Sequence, residues 1–339
     1  MSPTLPNSND GGSVRVLVIA GYGRSGSTLL DRLLGEVPGV CSLGEIRHLW
    51  QEGLIENRRC GCGAPFAECE HWNRVLRQAF GSEGPDGTGM RELQRKVDRW
   101  WKVPLLARRT ADPDLQRYAG ALGDLYTAVA RITGSRLLVD SSKDVSHAYV
   151  LGHVPGVDVR VLHLVRDPRA VASSWQRLKH NPGSGRAMDQ WAPWLTALRW
   201  DMVNTLAGAI SRTGRPYRTL RYEDLVSDPA GSLRQILAFA GEEDPQVPID
   251  ADGRVVLSAT HTAAGNPDRF RSGPTLVHAD NRWRQDMDAR SGAVVTAICS
   301  AGLRRWGYPL RGWRLPPQQP PATTSPRPVP DAPGVTPAG

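Results

Sequence analysis

A glycine-rich run, GYGRSGST at positions 21–28, holds the side chains best suited to chemistry in this sequence. It follows the apolar run 14–20 and precedes the helix-like run 29–34, so a strand, a turn and a helix start occur in that order. Glycines let backbone amides turn inward, and the helix N-terminus adds partial positive charge, which together favour an anion. The polar side chains that the run offers to that anion are Arg24, Ser25, Ser27 and Thr28.

The residue at position 27 indicates which anion the loop suits. The spacing is nearly that of a triphosphate-binding loop, G-x-x-x-x-G-K-[ST], but Ser27 replaces the lysine and the cation is Arg24 instead. In nucleoside triphosphatases that lysine contacts the β- and γ-phosphates, and the hydroxyl after it binds magnesium. A phosphate monoester or mixed anhydride is therefore a better match than a triphosphate with its metal. A glycine-rich turn that binds nothing is the alternative.

Two further segments place charged side chains just after predicted strands. The segment VDSSKD places Lys143 where its side chain could stabilise negative charge on a leaving oxygen. An alternative is that Lys143 is a surface lysine without a role in the site. Another is that Asp140 is the magnesium ligand of a nucleotide hydrolase. In VRDPRAVASSW, Arg166 ends a strand and Ser174 lies two turns into the following helix. An arginine and a hydroxyl that converge there can bind a second phosphate, with the guanidinium as a bidentate donor. The alternative for Arg166 is a structural ion pair with a carboxylate.

Apolar runs that alternate with helical segments indicate how these residues are positioned. The predicted buried parallel strands are 14–20, 136–140, 159–165 and 217–222. The predicted helices are 28–34, 115–132, 170–178, 188–210 and 232–239. This alternation predicts an α/β fold, a central parallel sheet flanked by helices, with ligands at the carboxyl ends of the strands. Residues 81–90 and 253–281 are predicted loops, the second long enough for a lid.

The composition favours an anionic ligand and argues against several classes of protein. There are 42 basic and 34 acidic residues, a formal charge of +8. No dense basic run or nucleic-acid module is present, so no nucleic acid partner is expected. The sequence shows neither a signal peptide nor an apolar stretch of membrane-spanning length, and five cysteines do not make a disulfide scaffold. We therefore expect a cytoplasmic protein with no membrane partner; a homodimer is left open.

The two ends of the chain differ from its body. Residues 1–13 read as a polar lead, and residues 314–339 are rich in proline, alanine and threonine with almost no large apolar side chains. Such a tail buries too little surface to order itself. The folded domain is therefore predicted to span residues 14–313, between two disordered segments.

In combination, these segments resemble the sulfotransferases that use 3′-phosphoadenosine-5′-phosphosulfate (PAPS). They are most similar to the branch that includes bacterial and tyrosylprotein sulfotransferases. The resemblance is carried by GYGRSGSTLL (21–30), VRDPRAVASSW (165–175), RYEDL (221–225), VDSSKD (139–144) and HTAAGNPDRF (261–270). They cover nearly the whole body in the family's order. The resemblance implies a P-loop-like three-layer fold and transfer of a sulfuryl group to a hydroxyl group.

The resemblance also implies roles for individual residues. The residues that match the family's binding site for the 5′-phosphosulfate are Arg24, Ser25, Gly26, Ser27 and Thr28. Arg166 and Ser174 match its site for the 3′-phosphate, and Tyr222 matches a residue near the nucleotide. Arg269 and Arg271 are candidates to close over the cofactor. Glu45 matches the catalytic base of the tyrosylprotein branch, while Arg24 and Lys143 would stabilise the departing phosphate. His48 and His147 are alternative bases, because other branches use histidine.

The sequence is thus predicted to encode a PAPS-dependent sulfotransferase of a single domain, with PAPS as cosubstrate and no catalytic metal. The acceptor would be a hydroxyl compound, expected to be a small metabolite, a sugar or a phenol. The alternative is a P-loop kinase or nucleotide hydrolase, against which Ser27 argues. A non-catalytic module that binds a bisphosphorylated nucleotide is a second alternative.

One cysteine-rich segment is not explained by this function. Cys60, Cys62, Cys69 and His71 could form a tetrahedral zinc site, although the C-x-C spacing is tighter than usual. Reduced structural cysteines, the favoured interpretation, and a disulfide are the alternatives. None of these side chains is predicted to be catalytic.

Overall fold

Strands and helices alternate along most of the chain in the computed structural model of this protein. It describes residues 13–107, 111–178, 180–181, 185–187 and 189–314. The predicted lead, residues 1–13, lies outside the described residues except for its last member. The predicted tail, residues 314–339, lies outside them except for its first.

The strands are β1 Val14–Ala20, β2 Val40–Gly44, β3 Leu137–Lys143, β4 Val157–Val165, β5 His180–Asn181, β6 Arg186–Ala187, β7 Tyr217–Arg221, β8 Arg254–Leu257 and β9 Gly273–Leu276. The α-helices are α1 Ser27–Gly35, α2 Glu70–Phe80, α3 Gly87–Val97, α4 Val103–Leu106, α5 Pro113–Thr133, α6 Val145–Leu151, α7 Pro168–Gln176, α8 Pro193–Ala209, α9 Tyr222–Ser227, α10 Pro229–Phe239, α11 Trp283–Asp286, α12 Ala289–Ile298 and α13 Ser300–Arg305. None of the described helices combines the length and the apolar character that crossing a membrane requires.

Within the described part of the chain, five strands form a parallel sheet in the order β2-β3-β1-β4-β7. The chain adds β2 and β3 on one side of β1, and then β4 and β7 on the other, so the strand order reverses at β1. Ligands of open parallel sheets bind outside the carboxyl ends of the strands at such a reversal. The loop after β1 therefore lies where the sheet forms its binding crevice.

The side chains of β1 show that the sheet is covered on both faces. Successive side chains of a strand point to opposite faces. Val16 packs in the apolar cluster that contains Leu122 of α5, whereas Leu17 packs in the cluster that contains Leu30 of α1. All four side chains are fully buried. The predicted α/β fold, with a central parallel sheet between helical layers, is confirmed, and it is P-loop-like in its strand–loop–helix start.

The structure departs from the predicted elements in several places, and it adds helices that were not predicted, among them α2, α6 and α12. β2 was not predicted, because it is only 5 residues long and its apolar residues are interrupted by Ser42. β3 continues past its predicted end at Asp140 to Lys143, and α3 begins at Gly87, within the predicted loop 81–90. The predicted loop 253–281 contains the antiparallel pair β8 and β9. The segment between those strands, residues 258–272, is the late loop.

The glycine at position 26 is required for two independent reasons. Gly26 has a φ of +94°, a left-handed conformation that suits glycine. A Cβ at this position would also lie 2.5 Å from Cδ2 of Tyr222. Arg24 with a φ of +67° and Lys143 with a φ of +66° adopt left-handed conformations nearby, at the carboxyl ends of the paired strands β1 and β3. Positive φ at non-glycine residues is enriched at functional sites.

We expect Gly26→Ala to lower the free energy of unfolding by about 2–4 kcal/mol, because alanine is strained at this φ and its Cβ overlaps the Tyr222 ring. Urea denaturation measures the change. The control is Gly120→Ala in α5, where no atom lies within 4 Å of an added Cβ. That control should raise stability by about 0.5–1 kcal/mol. Equal stabilities for the two variants would contradict the steric argument.

Candidate active site

A cavity of about 800 Å³ lies at the carboxyl ends of the central strands, in the predicted crevice. The predicted site residues that line it are Arg24, Gly26, Ser27, Thr28, Glu45, Lys143, Arg166, Ser174, Tyr222 and Arg271. The charged lining residues that the sequence analysis missed include Arg32, Glu52, Arg58, Arg177, Asp268, Asp280 and Arg282. The fold thus brings most of the predicted residues to one place.

Two predicted residues, Ser25 and Arg269, do not line this cavity. Ser25 is buried, and its Oγ has no hydrogen-bond partner among the residues that the structure describes. Arg269 is also buried, and its guanidinium donates to the backbone carbonyls of Thr262 and Arg59. The bond to Thr262 lies within the late loop, and the bond to Arg59 holds that loop against the body of the protein. Arg271 is therefore the late-loop arginine that reaches the cavity.

The side chain of Arg166 joins the two predicted phosphate sites. Its Nη1 donates to the backbone carbonyl of Arg24 over 3.2 Å, and its guanidinium lies 4.2 Å from the ring centre of Tyr222. Arg166 is only 6% exposed, and its Nε has no hydrogen-bond partner within the described part of the chain. A buried guanidinium with an unused donor is suited to an anion. The glycine-rich loop and Arg166 therefore belong to one site.

Asp280 lies among arginines that the sequence analysis did not connect. It accepts hydrogen bonds from Nη1 of Arg177 over 2.9 Å and from Nε of Arg282 over 2.8 Å. Its Oδ2 also lies 3.8 Å from Nη2 of Arg166. Burial by itself would raise the pKa of Asp280, but the bonds from Arg282 and Arg177 outweigh it and lower that pKa. Arg166, Arg177 and Arg282 come together only in the folded chain. Their spacing in the sequence therefore did not indicate that they share Asp280 as a partner.

Arg24 is held at the end of a column of stacked side chains. Its guanidinium lies 4.8 Å from the ring centre of Trp175, whose ring stacks on Trp191 at 4.2 Å. Arg199 lies 4.0 Å from the Trp191 ring on this column. Cation–π contacts orient a guanidinium without neutralising its charge. Because Trp175 follows Ser174, α7 supplies both a candidate phosphate ligand and the ring that positions Arg24.

Glu45 and Lys143 form an ion pair in the cavity wall. The Nζ of Lys143 contacts Oε1 of Glu45, and both side chains are largely buried. The late loop positions Glu45, whose amide donates to the carbonyl of Ala264 over 3.1 Å. A Cβ at Gly265 would lie 3.1 Å from Oε1 of Glu45, so the loop backbone packs directly on the carboxylate. A proton acceptor thus lies beside a cation that can stabilise a leaving group.

Charged side chains continue from Glu45 along the cavity. The Nε2 of His48 lies 3.7 Å from Oε2 of Glu45, and its Nδ1 lies 3.9 Å from Oε1 of Glu52. Arg58 then pairs with Glu52, with 3.2 Å between Nη1 and Oε2. Glu45, Glu52 and Arg58 line the cavity, whereas His48 does not. Of Glu45 and His48, Glu45 is therefore the better-placed proton acceptor.

His147, the other alternative base, is fully buried away from the cavity. Its Nε2 lies 3.0 Å from Oδ2 of Asp140, and its Nδ1 lies 3.6 Å from Oδ2 of Asp98. Asp140 also accepts from the Tyr126 hydroxyl over 2.6 Å and from the Ser142 amide over 2.9 Å. With its oxygens engaged and no exposure, Asp140 is not placed to bind magnesium. This network argues against His147 as a base and against Asp140 as a metal ligand.

The candidate zinc ligands differ from the predicted set in one member. The sulfur atoms of Cys60, Cys62 and Cys69 cluster with a ring nitrogen of His261, not of His71. The His71 ring instead stacks on the His261 ring, with 4.7 Å between the ring centres. His261 lies in the late loop, far along the chain from the cysteines, so sequence spacing pointed to the neighbouring histidine.

Comparison with known proteins gives a family. A family model described as "Sulfotransferase family" matches residues 17–246. Carbohydrate sulfotransferase 3 of Mus musculus is 29% identical over 175 residues, with coverage of 46% of this chain and 35% of that protein. Carbohydrate sulfotransferase 2 of Mus musculus is 32% identical over 196 residues, which cover 45% of this chain and 36% of that protein. The chain spans little more than a third of the length of these relatives.

A solved structure gives a weaker comparison. The sulfotransferase domain of the Synechococcus PCC 7002 olefin synthase aligns with 92% of this chain and 100% of its own, at 23% identity and a TM-score of 0.49. The order of the five strands and the packing of helices on both faces of the sheet define the fold independently of this similarity.

The buried histidine network predicts a pH dependence of stability. Burial by itself would lower the pKa of His147, but Asp140 and Asp98 outweigh it and raise that pKa to about 9. Because an unfolded histidine titrates near pH 6.5, this contribution is complete below about pH 6.5 and is lost as the pH rises to 9. We expect the free energy of unfolding to fall by on the order of 2 kcal/mol across that window.

Urea denaturation at several pH values measures this fall, and His147→Gln should remove most of it. His71→Gln is the matched control, because burial lowers the pKa of His71 to about 4 and its contribution changes only below the window. A wild-type stability that stays constant from pH 6.5 to 9 would contradict the assigned ion pairs.

Proposed function

The chain belongs to the sulfotransferase family, and on that premise we propose that it transfers a sulfuryl group from PAPS to a hydroxyl group of an acceptor. The observation that carries the proposal is the hydrogen bond from Arg166 to the carbonyl of Arg24. It puts a helix-start anion loop and a buried guanidinium in one cavity. PAPS has a phosphate at its 3′ position and a phosphosulfate at its 5′ position, so one molecule can contact both.

We assign the 5′-phosphosulfate to the loop after β1. Ser27 and Thr28 begin α1, where free backbone amides and the helix dipole favour an anion. Ser25 and Gly26 supply the turn that leads into the helix. Arg24 is positioned by Trp175 and is the loop's own cation.

We assign the 3′-phosphate to Arg166 and Ser174, as the resemblance implies. Arg166 and Ser174 both line the cavity, and Arg166 is oriented by Tyr222. Arg177 and Arg282 add positive charge beside it through their common partner Asp280. Arg271, in the late loop, is placed to close over the nucleotide. The contacts of Arg269, in the same loop, instead favour a role in positioning the loop.

For the chemical step we propose Glu45 as the general base. Glu45 takes the proton of the acceptor hydroxyl, whose oxygen then bonds to sulfur while the bond from sulfur to the phosphate oxygen breaks. Lys143 and Arg24 stabilise the negative charge left on that phosphate. The products are a sulfate ester and adenosine 3′,5′-bisphosphate. We propose no catalytic metal, because side-chain cations already surround the leaving group.

We propose a polyhydroxylated acceptor, with sugars as the first class to test. The cavity wall that continues from Glu45 carries Glu52, Arg58, Asn266 and Asp268, and such groups hydrogen-bond hydroxyls better than they pack against an aromatic ring. The names of the relatives, which are carbohydrate sulfotransferases, support the same class. Phenols and other small metabolites are the remaining candidates.

A reducing, cytoplasmic location is part of the proposal. It is supported by the five cysteines, which all lie in the described part of the chain and form no disulfide there. The alternative of a P-loop kinase or nucleotide hydrolase gains no support, because Ser27 replaces the phosphate-binding lysine and Asp140 is engaged by Tyr126 and His147.

The proposed base is tested by transfer of labelled sulfate from PAPS to a panel of sugars and phenols. We expect Glu45→Gln to lower turnover by about 10²–10⁴-fold, because general base catalysis contributes that much. The affinity for adenosine 3′,5′-bisphosphate should change little, since the amide keeps the size of the carboxylate.

Glu92→Gln, an exposed glutamate of α3 outside the cavity, is the matched control and should keep full turnover. His48→Asn tests the competing base. Full turnover in Glu45→Gln together with a large loss in His48→Asn would reject Glu45. The absence of transfer to any hydroxyl compound in the panel, with transfer of phosphate from ATP instead, would reject the proposed function.

A further inference from the structure

Three thiols and one imidazole meet at a site that the proposed reaction does not use. Sγ of Cys60, Sγ of Cys62, Sγ of Cys69 and Nδ1 of His261 all lie within 4.8 Å of one another. Cys60 and Cys69 are buried, and Cys62 is exposed. The cysteines come from a short segment before α2, whereas His261 comes from the late loop.

The distances fit a tetrahedral metal site. Zinc bound at about 2.3 Å from each thiolate separates two sulfur atoms by about 3.8 Å. The observed separations are 3.6 Å between Cys60 and Cys69 and 3.9 Å between Cys62 and Cys69, and Nδ1 of His261 lies 3.3 Å from Sγ of Cys69. Disulfide-bonded sulfur atoms lie about 2.05 Å apart, so none of these pairs is a disulfide.

The backbone around the cysteines is shaped to bring these atoms together. The Gly63 amide donates to the Cys60 carbonyl over 2.8 Å, which closes a tight turn around Cys62. A Cβ at Gly61 would lie 2.4 Å from Oγ1 of Thr262, so this turn packs on the late loop at a distance that only glycine allows. Cys69 lies directly before the first residue of α2.

Contacts with α2 hold His261 in position beside the cysteines. The indole nitrogen of Trp72 donates to the backbone carbonyl of His261 over 2.7 Å, which ties the late loop to α2 beside Cys69. The His71 ring stacks on the His261 ring, with an angle of 13° between the planes. These contacts fix the ring, with its Nδ1 3.9 Å from Sγ of Cys60 and 3.3 Å from Sγ of Cys69.

We propose that Cys60, Cys62, Cys69 and His261 bind one Zn²⁺ as a structural site that fastens the late loop to the body of the protein. Three thiolates and one imidazole are a complete ligand set for structural zinc, with no position left for a reacting water. The fastened segment is the one that positions the proposed base. Residues directly after His261 bond to β2 and its end, through Ala263 to Leu43 over 2.9 Å and through Ala264 to Glu45 over 3.1 Å.

The test is the zinc content of the purified 339-residue chain, measured by elemental analysis after dialysis. We expect one zinc per chain, released when a mercurial reagent modifies the thiols. His261→Gln should lose the metal, and His261→Cys should retain it, because four cysteines also make a zinc site. His71→Gln is the matched control and should keep the zinc, as should Cys299→Ser.

A second measurement uses the wild-type chain alone and does not depend on how the variants fold. Refolding with Co²⁺ should give the visible absorption of tetrahedral cobalt with thiolate ligands, and Zn²⁺ should displace it. The proposal is overturned if the wild-type chain contains no zinc and takes up neither metal on refolding. It is also overturned if His71→Gln loses the metal while His261→Gln keeps it.

Discussion

The parallel pairing of β1 with β4 is the constraint on which the rest of the site depends. The two strands are paired from Val14 opposite Val157 to Ala20 opposite His163, and β4 continues to Val165, so their carboxyl ends lie at the same edge of the sheet. The glycine-rich loop follows β1 at once, and Arg166 follows the last residue of β4. Their side chains and carbonyls must therefore meet, as the bond from Arg166 to Arg24 shows. A single ligand with negative charge at both ends fits this juxtaposition.

The other charged groups are held in place by contacts with the protein itself. Arg24 stacks on Trp175, Arg166 lies over Tyr222, and Lys143 contacts Glu45. Groups oriented before a ligand arrives lose little freedom when it binds and need little reorganisation in the reaction. The late loop likewise holds the proposed base in position. The proposed zinc site explains how a loop with so little secondary structure can be rigid enough to hold it.

Much of this arrangement could be predicted from the sequence, and the reasons for the rest are physical. The loop after β1, the strand end at Arg166 and the fold class could be predicted, because each is encoded by residues that are close together in the sequence. β2 was missed because an edge strand of 5 residues is too short to show a periodicity of its own. Arg177, Arg282 and Asp280 meet only through the folded chain, and His261 joins cysteines that lie between 192 and 201 positions before it. The roles of Glu45, Lys143 and Ser174 remain predictions that position alone supports.

Calorimetry with adenosine 3′,5′-bisphosphate, adenosine 5′-monophosphate and ATP tests the central claim most directly, since it asks whether one nucleotide contacts both ends of the site. The account predicts that the bisphosphate binds the wild-type chain most tightly. Arg166→Ala should weaken the bisphosphate by about 10–100-fold, the value of a charge-assisted hydrogen bond, and leave the 5′-monophosphate nearly unchanged. Tighter binding of ATP than of the bisphosphate, or an equal loss for both adenosine phosphates in Arg166→Ala, would contradict it.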